Sequence, residues 1–294
     1  MMDGLLWDNL RDLGILKHYK MNKITPEPIM KIMTGIWLAQ TLYVAVDLEI
    51  FTKIALGKNN VEQIAKDLGI DKSPVERILN VCVASDLLTK ENNIYKNNEI
   101  SERFLVKNKP SYYGDFVLMA GKKENQSWGN LKQSVLNNSP MADALKERMQ
   151  DSEDAKMFIK AMHNNAIGSA NVLSKKFDFS KFTKLLDVGG GSGAYSITLT
   201  KEYSNLQAIV FDLPNVCSVA NEFIENLNAR SKVSIFEGDF FKDEFPKGSD
   251  VVLLSQILHS YNEEENKILL KKIYDYLPEN GILIINEFLL IKVF

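Results

Sequence analysis

The sequence contains little that could form a disulfide framework, a metal cluster or a strongly charged surface. Its 294 residues include two cysteines and three histidines. Cys82 and Cys217 lie far apart, without the spacing of metal ligands. A formal net charge of −3 provides no general attraction to nucleic acid or to an anionic membrane. We therefore expect reduced cysteines, no metal centre, and no nucleic-acid or membrane partner.

The N-terminal segment lacks the pattern of a signal peptide, and the chain lacks an uninterrupted apolar run. Acidic residues occur where a signal peptide has a basic segment. The most apolar stretch, residues 29–46, contains Lys31 and Gln40, so we expect a buried helix rather than a membrane span. Together these absences predict a cytoplasmic protein.

The first half of the sequence shows mostly helical patterns. Helices are predicted over residues 28–47, 61–68 and 74–88, with Gly69 as the stop of the second. Two short strands follow, around a turn at residues 91–93. Helix, turn, helix and hairpin in this order are typical of a winged helix.

A winged helix often binds DNA, and the charge of its second helix tests that possibility. Helix 74–88 offers one base, Arg77, beside Glu76 and Asp86. Contact with DNA phosphates and base edges requires exposed lysine or arginine. Packing or dimerisation is therefore favoured, and a winged-helix transcription regulator with a ligand-sensing domain is kept as an alternative.

From residue 184 onward, short apolar runs alternate with helical patterns, after a helical middle section over residues 112–177. The first apolar run leads into a glycine-rich turn. Later strands are predicted at 206–211, 233–238, 250–254 and 282–288, and helices at 194–201, 216–228 and 263–276. This alternation predicts an α/β fold with a doubly wound, mostly parallel sheet.

A glycine motif separates the first predicted strand from its helix. Gly189, Gly191 and Gly193 let the backbone turn tightly and approach a ligand closely. In dinucleotide sites such a loop holds a pyrophosphate, which the preceding Asp187 would repel. A carboxylate is instead suited to bind an ammonium group. The methionine part of S-adenosylmethionine (SAM) carries such a group, so Asp187 favours SAM over NAD.

Two further acids follow later strands and suit the rest of a nucleoside. Asp212, at the end of the second strand, can accept hydrogen bonds from ribose hydroxyls in SAM or NAD sites alike. Asp239 could accept from an adenine amino group, and Phe240 could cover the adenine ring. The alternative for this pair is a loop acid beside core aromatic residues.

A histidine follows the fourth strand, at the sheet edge where ligands of open α/β folds bind. His259 is placed there to act as a general base at neutral pH. Glu287, at the end of the fifth strand, could orient this imidazole and raise its basicity.

Five segments together resemble the plant and bacterial small-molecule O-methyltransferases, the group that includes caffeate, flavonoid and hydroxyindole O-methyltransferases. They are LLDVGGGSGAYSI, VFDLPNV, EGDFF, LLSQILHSYNEEE and LIINEFLL. The resemblance extends over nearly the whole chain. It implies a homodimer that transfers a methyl group from SAM to a hydroxyl of a small, usually aromatic molecule.

The resemblance also implies roles for individual residues. It makes His259 the base and Glu287 a supporting acid. The cofactor contacts that it implies are Gly189, Asp212, Asp239, Phe240 and Ser255. The segment FIKAMHNNAIGSA is similar to the family's substrate-lining helix and SWGNLKQSV to the stretch before it. The substrate candidates there are Trp128, Phe158, Met162 and His163.

The chain departs from the family pattern in three places. Ser260 and Tyr261 follow the histidine where the family commonly has an acid and a tryptophan, and Ser255 stands where some members have lysine. The chain ends at Phe294, whereas the family continues with two more strands and a second supporting acid. We therefore expect a fragment or a truncated protein, and a catalytically impaired SAM-binding protein with a partner or regulatory role is an alternative function.

Three segments are expected along the chain. Residues 1–110 would form a winged-helix dimerisation domain, and residues 111–180 a helical linker that lines the substrate site. Residues 181–294 would form the SAM-binding methyltransferase domain, without its C-terminal end.

Overall fold

The computed structural model describes residues 24–124, 128–139 and 152–288. The chain divides into two compact units, residues 1–39 and 40–294. Helix α1, Glu27–Asp47, contains the last residues of the first unit and the first of the second.

Helix α1 was expected to be buried, and this prediction is wrong for the single chain. Its buried residues are Ala45 and Val46. Most of its large apolar side chains are exposed, namely Ile29, Met30, Ile32, Met33, Ile36 and Leu38. Apolar residues occur around the whole circumference, so no single neighbour could cover them. Among the described helices, α1 alone has the length and hydropathy of a membrane span, by composition only.

The second unit begins with the predicted helices and hairpin. Helices α2 (Ile50–Ala55), α3 (Val61–Leu68) and α4 (Lys72–Ala84) precede antiparallel strands β1 (Leu88–Glu91) and β2 (Ile94–Asn97), and α5 (Glu99–Phe104) follows. The Asn60 side chain accepts a hydrogen bond from Gln63 N and starts α3, and Gly69, with φ of 68°, ends it. Helix α4 ends four residues earlier than predicted, just before Asp86 takes a φ of 55°.

The described residues of the middle section are mostly helical, as the sequence predicts. Helix α6 (Gly114–Met119) continues as a π-helical segment (Ala120–Glu124), and α7 (Leu131–Asn137) and α8 (Ser152–Lys176) follow. Helix α8 packs against α6 and against two helices of the sheet layer. Val172, an apolar residue of α8, is exposed.

A five-stranded parallel sheet forms the rest of the described chain. Its strands are β3 (Lys184–Val188), β4 (Gln207–Asp212), β5 (Val233–Glu237), β6 (Val251–Ser255) and β7 (Ile282–Asn286). The intervening helices are α9 (Ala194–Glu202), α10 (Pro214–Asn226) and α11 (Glu263–Tyr276). Apolar clusters lie on both faces of the sheet. The α/β prediction is therefore confirmed.

The strand order is β5-β4-β3-β6-β7. The chain builds outward from β3 through β4 to β5 and then returns to the other side of β3 with β6. All neighbouring strands run parallel, so their carboxyl ends meet at one edge of the sheet. The carboxyl ends of β3 and β6 lie where the direction reverses, which is where open α/β sheets bind ligands.

Candidate active site

The loop between β3 and α9, residues 189–193, is called the glycine loop below. Gly189, Gly191 and Gly193 have φ values of 66°, 57° and 74°, which glycine adopts without strain. A Cβ on Gly190 would lie 2.8 Å from Asp187 Cγ and 3.0 Å from the Asp187 carbonyl oxygen. A side chain is thus excluded at Gly190 by space and disfavoured at the other three by conformation.

Two carboxyl groups lie under and beside this loop. Asp187 is 1% exposed and accepts a hydrogen bond from Ser196 Oγ at 2.7 Å. Asp212 Oδ2 accepts from Gly191 N at 2.9 Å, and its Oδ1 accepts from Leu213 N at 2.8 Å. Burial raises the pKa of Asp187 and of Asp212 to about 6. Each oxygen of Asp212 retains a second lone pair, so this carboxylate can still accept hydrogen bonds from a ligand.

Asp239 and Phe240 follow β5 at the same sheet edge. Asp239 Oδ1 accepts from Phe241 N at 2.9 Å, and its Oδ2 lies 2.8 Å from Lys242 Nζ. Burial opposes ionisation of Asp239, but these partners hold its pKa below the ordinary value. Phe240 lies beside the glycine loop, 3.7 Å from the position of a Cβ on Gly189. Contact of this pair with adenine stays a prediction.

His259 and Glu287 are brought into contact because β6 and β7 are parallel neighbours. His259 lies in a short 3₁₀ turn after β6, and Glu287 directly follows β7. His259 Nδ1 is 2.8 Å from Glu287 Oε1, and His259 N donates to Glu287 Oε2 at 3.3 Å.

The charge of Glu287 determines which nitrogen of His259 carries the proton. Burial raises the pKa of Glu287, but the hydrogen bonds from His259 and from Phe288 N together outweigh it, so the pKa lies below the ordinary value. An ionised carboxylate only accepts hydrogen bonds, so Nδ1 carries the proton of this contact. Nε2 is then the nitrogen that can accept a proton. The His259 side chain is 45% exposed, whereas that of Glu287 is 11% exposed.

A polar network that the sequence did not reveal supports the end of β7. Asn286 Nδ2 donates to Tyr195 OH at 2.7 Å and to Ser255 Oγ at 3.1 Å. The Asn286 carbonyl oxygen accepts from Gln256 N at 2.9 Å. The network joins α9, β6 and β7 directly before Glu287. A polar residue at the end of the apolar strand ILIIN was its visible signal, whereas nothing near Tyr195 in the sequence marked its partner.

The four substrate candidates lie in different surroundings. Trp128 is 60% exposed, and Met162 is half-buried. Phe158 packs against the apolar cluster that includes Val216 on α10. His163 is buried, with Nδ1 2.7 Å from Ser192 Oγ in the glycine loop. Their contact with a substrate stays a prediction.

No cluster of three or more histidine, cysteine or acidic side chains that could hold a metal ion occurs in the part of the chain that the structure describes.

Comparison with protein families gives two matches along the chain. Residues 30–107 match an O-methyltransferase dimerisation domain. Residues 129–293 match an O-methyltransferase domain.

Individual relatives match over most of their length. A 3-hydroxy-5-methyl-1-naphthoate 3-O-methyltransferase from Streptomyces sahachiroi is 32% identical, over 90% of this chain and 77% of the relative. The acetylserotonin O-methyltransferase of Bos taurus is 29% identical, over 87% of this chain and 78% of the relative. The crystal structure of human N-acetylserotonin methyltransferase in complex with SAM has a TM-score of 0.81 at 23% identity, over 91% of this chain and 81% of that one. This last likeness shows a common fold.

Proposed function

The chain belongs to the O-methyltransferase family, and from this premise we propose that it transfers a methyl group from SAM to a hydroxyl of a small aromatic molecule. The observation that carries the proposal is the His259–Glu287 pair at the ligand-binding edge of the sheet. The printed names of the relatives, a hydroxynaphthoate and an acetylserotonin O-methyltransferase, support an aromatic acceptor.

The residues around the glycine loop fit the chemical groups of SAM. A Cβ on Gly191 would meet no atom within 4 Å, so there is open space at this point of the loop. Asp212, bonded to Gly191 N, would hold the ribose hydroxyls, and Asp187 would favour the ammonium group. Asp239 and Phe240 would contact the adenine.

His259 is proposed as the base. When bound, SAM supplies a methyl group on a positively charged sulfur. His259 Nε2 would take the proton of the substrate hydroxyl, which makes the oxygen a stronger nucleophile. Glu287 would keep the proton on Nδ1 and offset the charge of the resulting imidazolium. The short link from Asn286 to Tyr195 and Ser255 would hold Glu287 in place.

A homodimer is proposed from two observations on the N-terminal region. Residues 30–107 match a dimerisation domain. Helix α1, which begins at Glu27, leaves its apolar side chains exposed in the single chain. We also propose three expectations from the sequence patterns described above. They are domain boundaries near residues 110 and 180, a winged-helix fold for the first domain, and a cytoplasmic location.

Two measurements on the purified chain test the function. Calorimetric titration with SAM, and separately with NAD, should give binding for SAM alone. Incubation with methyl-labelled SAM and a panel of hydroxynaphthoates and hydroxyindoles should give a methyl ether by mass spectrometry, and His259→Ala should form it far more slowly. SAM binding without transfer to any acceptor would contradict the proposed activity.

A further inference from the structure

The glycine loop contains one side chain that can form hydrogen bonds. Four of its five residues are glycines, and the fifth is Ser192. Glycine adopts many backbone conformations with little difference in energy, so contacts with neighbouring elements must select the shape of such a loop. The Ser192 hydroxyl is therefore the loop's only side-chain anchor.

That hydroxyl contacts a histidine from a distant part of the chain. Ser192 Oγ lies 2.7 Å from His163 Nδ1, on helix α8, 29 residues earlier. Ser192 is 4% exposed and His163 is 8% exposed, so water competes little for this bond.

The imidazole of His163 is itself fixed in place. It stacks on Phe223 of α10, with ring centroids 3.9 Å apart and planes inclined by 18°. Burial lowers the pKa of His163 to about 4, so the ring is neutral at pH 7. A neutral ring nitrogen and a hydroxyl can share a hydrogen bond without the cost of a buried charge.

The other hydrogen bonds between the loop and neighbouring elements come from the loop's own backbone. Gly189 N donates to Phe211 O at 2.8 Å, and Gly191 N donates to Asp212 Oδ2 at 2.9 Å. Both tie the loop to β4. The bond between His163 and Ser192 ties it instead to α8, so the two sets of contacts restrain the loop from different elements.

We propose that His163 is a positioning residue of the cofactor site, which acts through Ser192 to hold the glycine loop in the shape that receives SAM. The inference rests on the proposed assignment of this loop to SAM. It gives His163 a task other than the substrate contact expected from the sequence. Loss of the bond would lower the fraction of molecules with a competent loop, and apparent affinity falls in proportion to that fraction.

Four variants separate this role from general packing. Ser192→Ala removes one partner of the bond. His163→Phe keeps an aromatic ring to stack on Phe223 but removes the nitrogen, whereas His163→Asn places a polar amide where Nδ1 stood. Asn164→Ala is the matched control, because Asn164 Oδ1 accepts from Asp115 N at 3.1 Å and so joins α8 to α6 instead of the loop.

The measurements are the calorimetric dissociation constant for SAM and the melting temperature without ligand. We expect Ser192→Ala and His163→Phe each to weaken SAM binding about five- to tenfold, the usual effect of one hydrogen bond. The double variant should bind no more than about twofold more weakly than either single one, because both remove the same interaction. His163→Asn should remain within about twofold of the wild type, and Asn164→Ala should lower the melting temperature only.

Three outcomes would overturn the inference. One is an unchanged SAM affinity in both Ser192→Ala and His163→Phe, and another is an additive loss in the double variant. The third is a loss in Asn164→Ala equal to that in His163→Phe, which would make the effect one of helix packing. In each case SAM binding by the wild type leaves the proposed function intact, whereas no SAM binding by the wild type would overturn both. Ser192→Ala decides the matter if His163→Phe does not fold.

Discussion

The two halves of the ligand-binding sheet edge use carboxyl groups in opposite ways. Beside β3 and β4, burial raises the pKa of Asp187 and of Asp212 to about 6. Beside β6 and β7, the pKa of Glu287 is lowered despite its burial, because His259 and the Phe288 backbone N–H donate to it. Among the residues that the structure describes, Asp187 and Asp212 therefore have no cation beside them, whereas Glu287 is already paired with His259.

The two halves also differ in solvent access: the first is buried, and the second is partly exposed. Asp187 is 1% exposed, whereas the His259 side chain is 45% exposed. A buried carboxylate without a cation gains from a ligand that brings hydroxyl or ammonium groups. An accessible imidazole can exchange protons with a substrate and with water. Under the proposed function, the first is the cofactor half, prepared for one ligand, and the second is the catalytic half, open to turnover.

The largest expected effect is that of a substitution that impairs the catalytic half alone. His259→Ala should lower kcat by about 10²- to 10⁴-fold, the usual contribution of a general base. SAM affinity, measured by calorimetry, should stay within about twofold, because the glycine loop and its acids are unchanged. A comparable loss of SAM affinity would show that the two halves are not independent.

The next largest effect is that of a substitution that impairs the cofactor half alone. Asp212→Asn keeps the shape but removes the charge, so SAM binding should weaken by about 10- to 100-fold, as for hydrogen bonds to a charged group. Glu237→Gln is the matched control, since Glu237 pairs with Asp212 in the sheet register and is exposed. Equal SAM dissociation constants for the two variants would remove Asp212 from the cofactor site.

The raised pKa values give the cofactor half a pH dependence. Protonation of Asp187 and Asp212 below pH 6 removes the acceptor charges. The ionised fraction of a group with a pKa of about 6 falls about tenfold between pH 7 and pH 5, so SAM affinity should fall about tenfold for each of the two carboxylates, or about a hundredfold in all. The effect on stability has the opposite sign. Because the folded pKa lies above the ordinary value of 3.8, the stabilising contribution of the protonated carboxyls is complete below about pH 4 and is lost as the pH rises through 6.

Calorimetric titration across this range measures the dependence. Asp212→Asn should flatten it in part, since one of the two titrating groups is then gone. A SAM affinity that does not change between pH 7 and pH 5 would contradict the role of both carboxylates.

The smallest effect sharpens the account of the catalytic half. In Glu287→Gln the amide oxygen should take the Oε1 position, which accepts from His259 Nδ1 and also from Phe288 N at 3.0 Å. The imidazole then keeps its acceptor but loses the negative charge beside it, and the amide nitrogen in the Oε2 position can no longer accept the long bond from His259 N. We expect kcat to fall about fivefold, as a charged hydrogen bond becomes a neutral one. A loss as large as that in His259→Ala would mean that the charge of Glu287, rather than its position, governs the base.

The predictions from the sequence were confirmed where they depended on a pattern of neighbouring residues. Apolar runs alternating with helical patterns predicted the parallel sheet, since strands covered on both faces are apolar throughout. The burial of α1 was predicted wrongly, because an apolar sequence indicates that a surface needs cover and does not say whether the same chain supplies it. Helix α4 was predicted too long because its apolar spacing continues past the residues that leave helical geometry.

The sequence by itself determined the class of fold, the glycine loop and the acids and histidine that follow the strands, because turns and strand ends are encoded by neighbouring residues. Only the tertiary structure decided the strand order β5-β4-β3-β6-β7 and which side chains meet at its edge. His163 contacts Ser192, which lies 29 residues away in the sequence, and Asn286 contacts Tyr195, which lies 91 residues away. Such contacts depend on how whole elements pack, and packing has no signature in the spacing of residues along the chain.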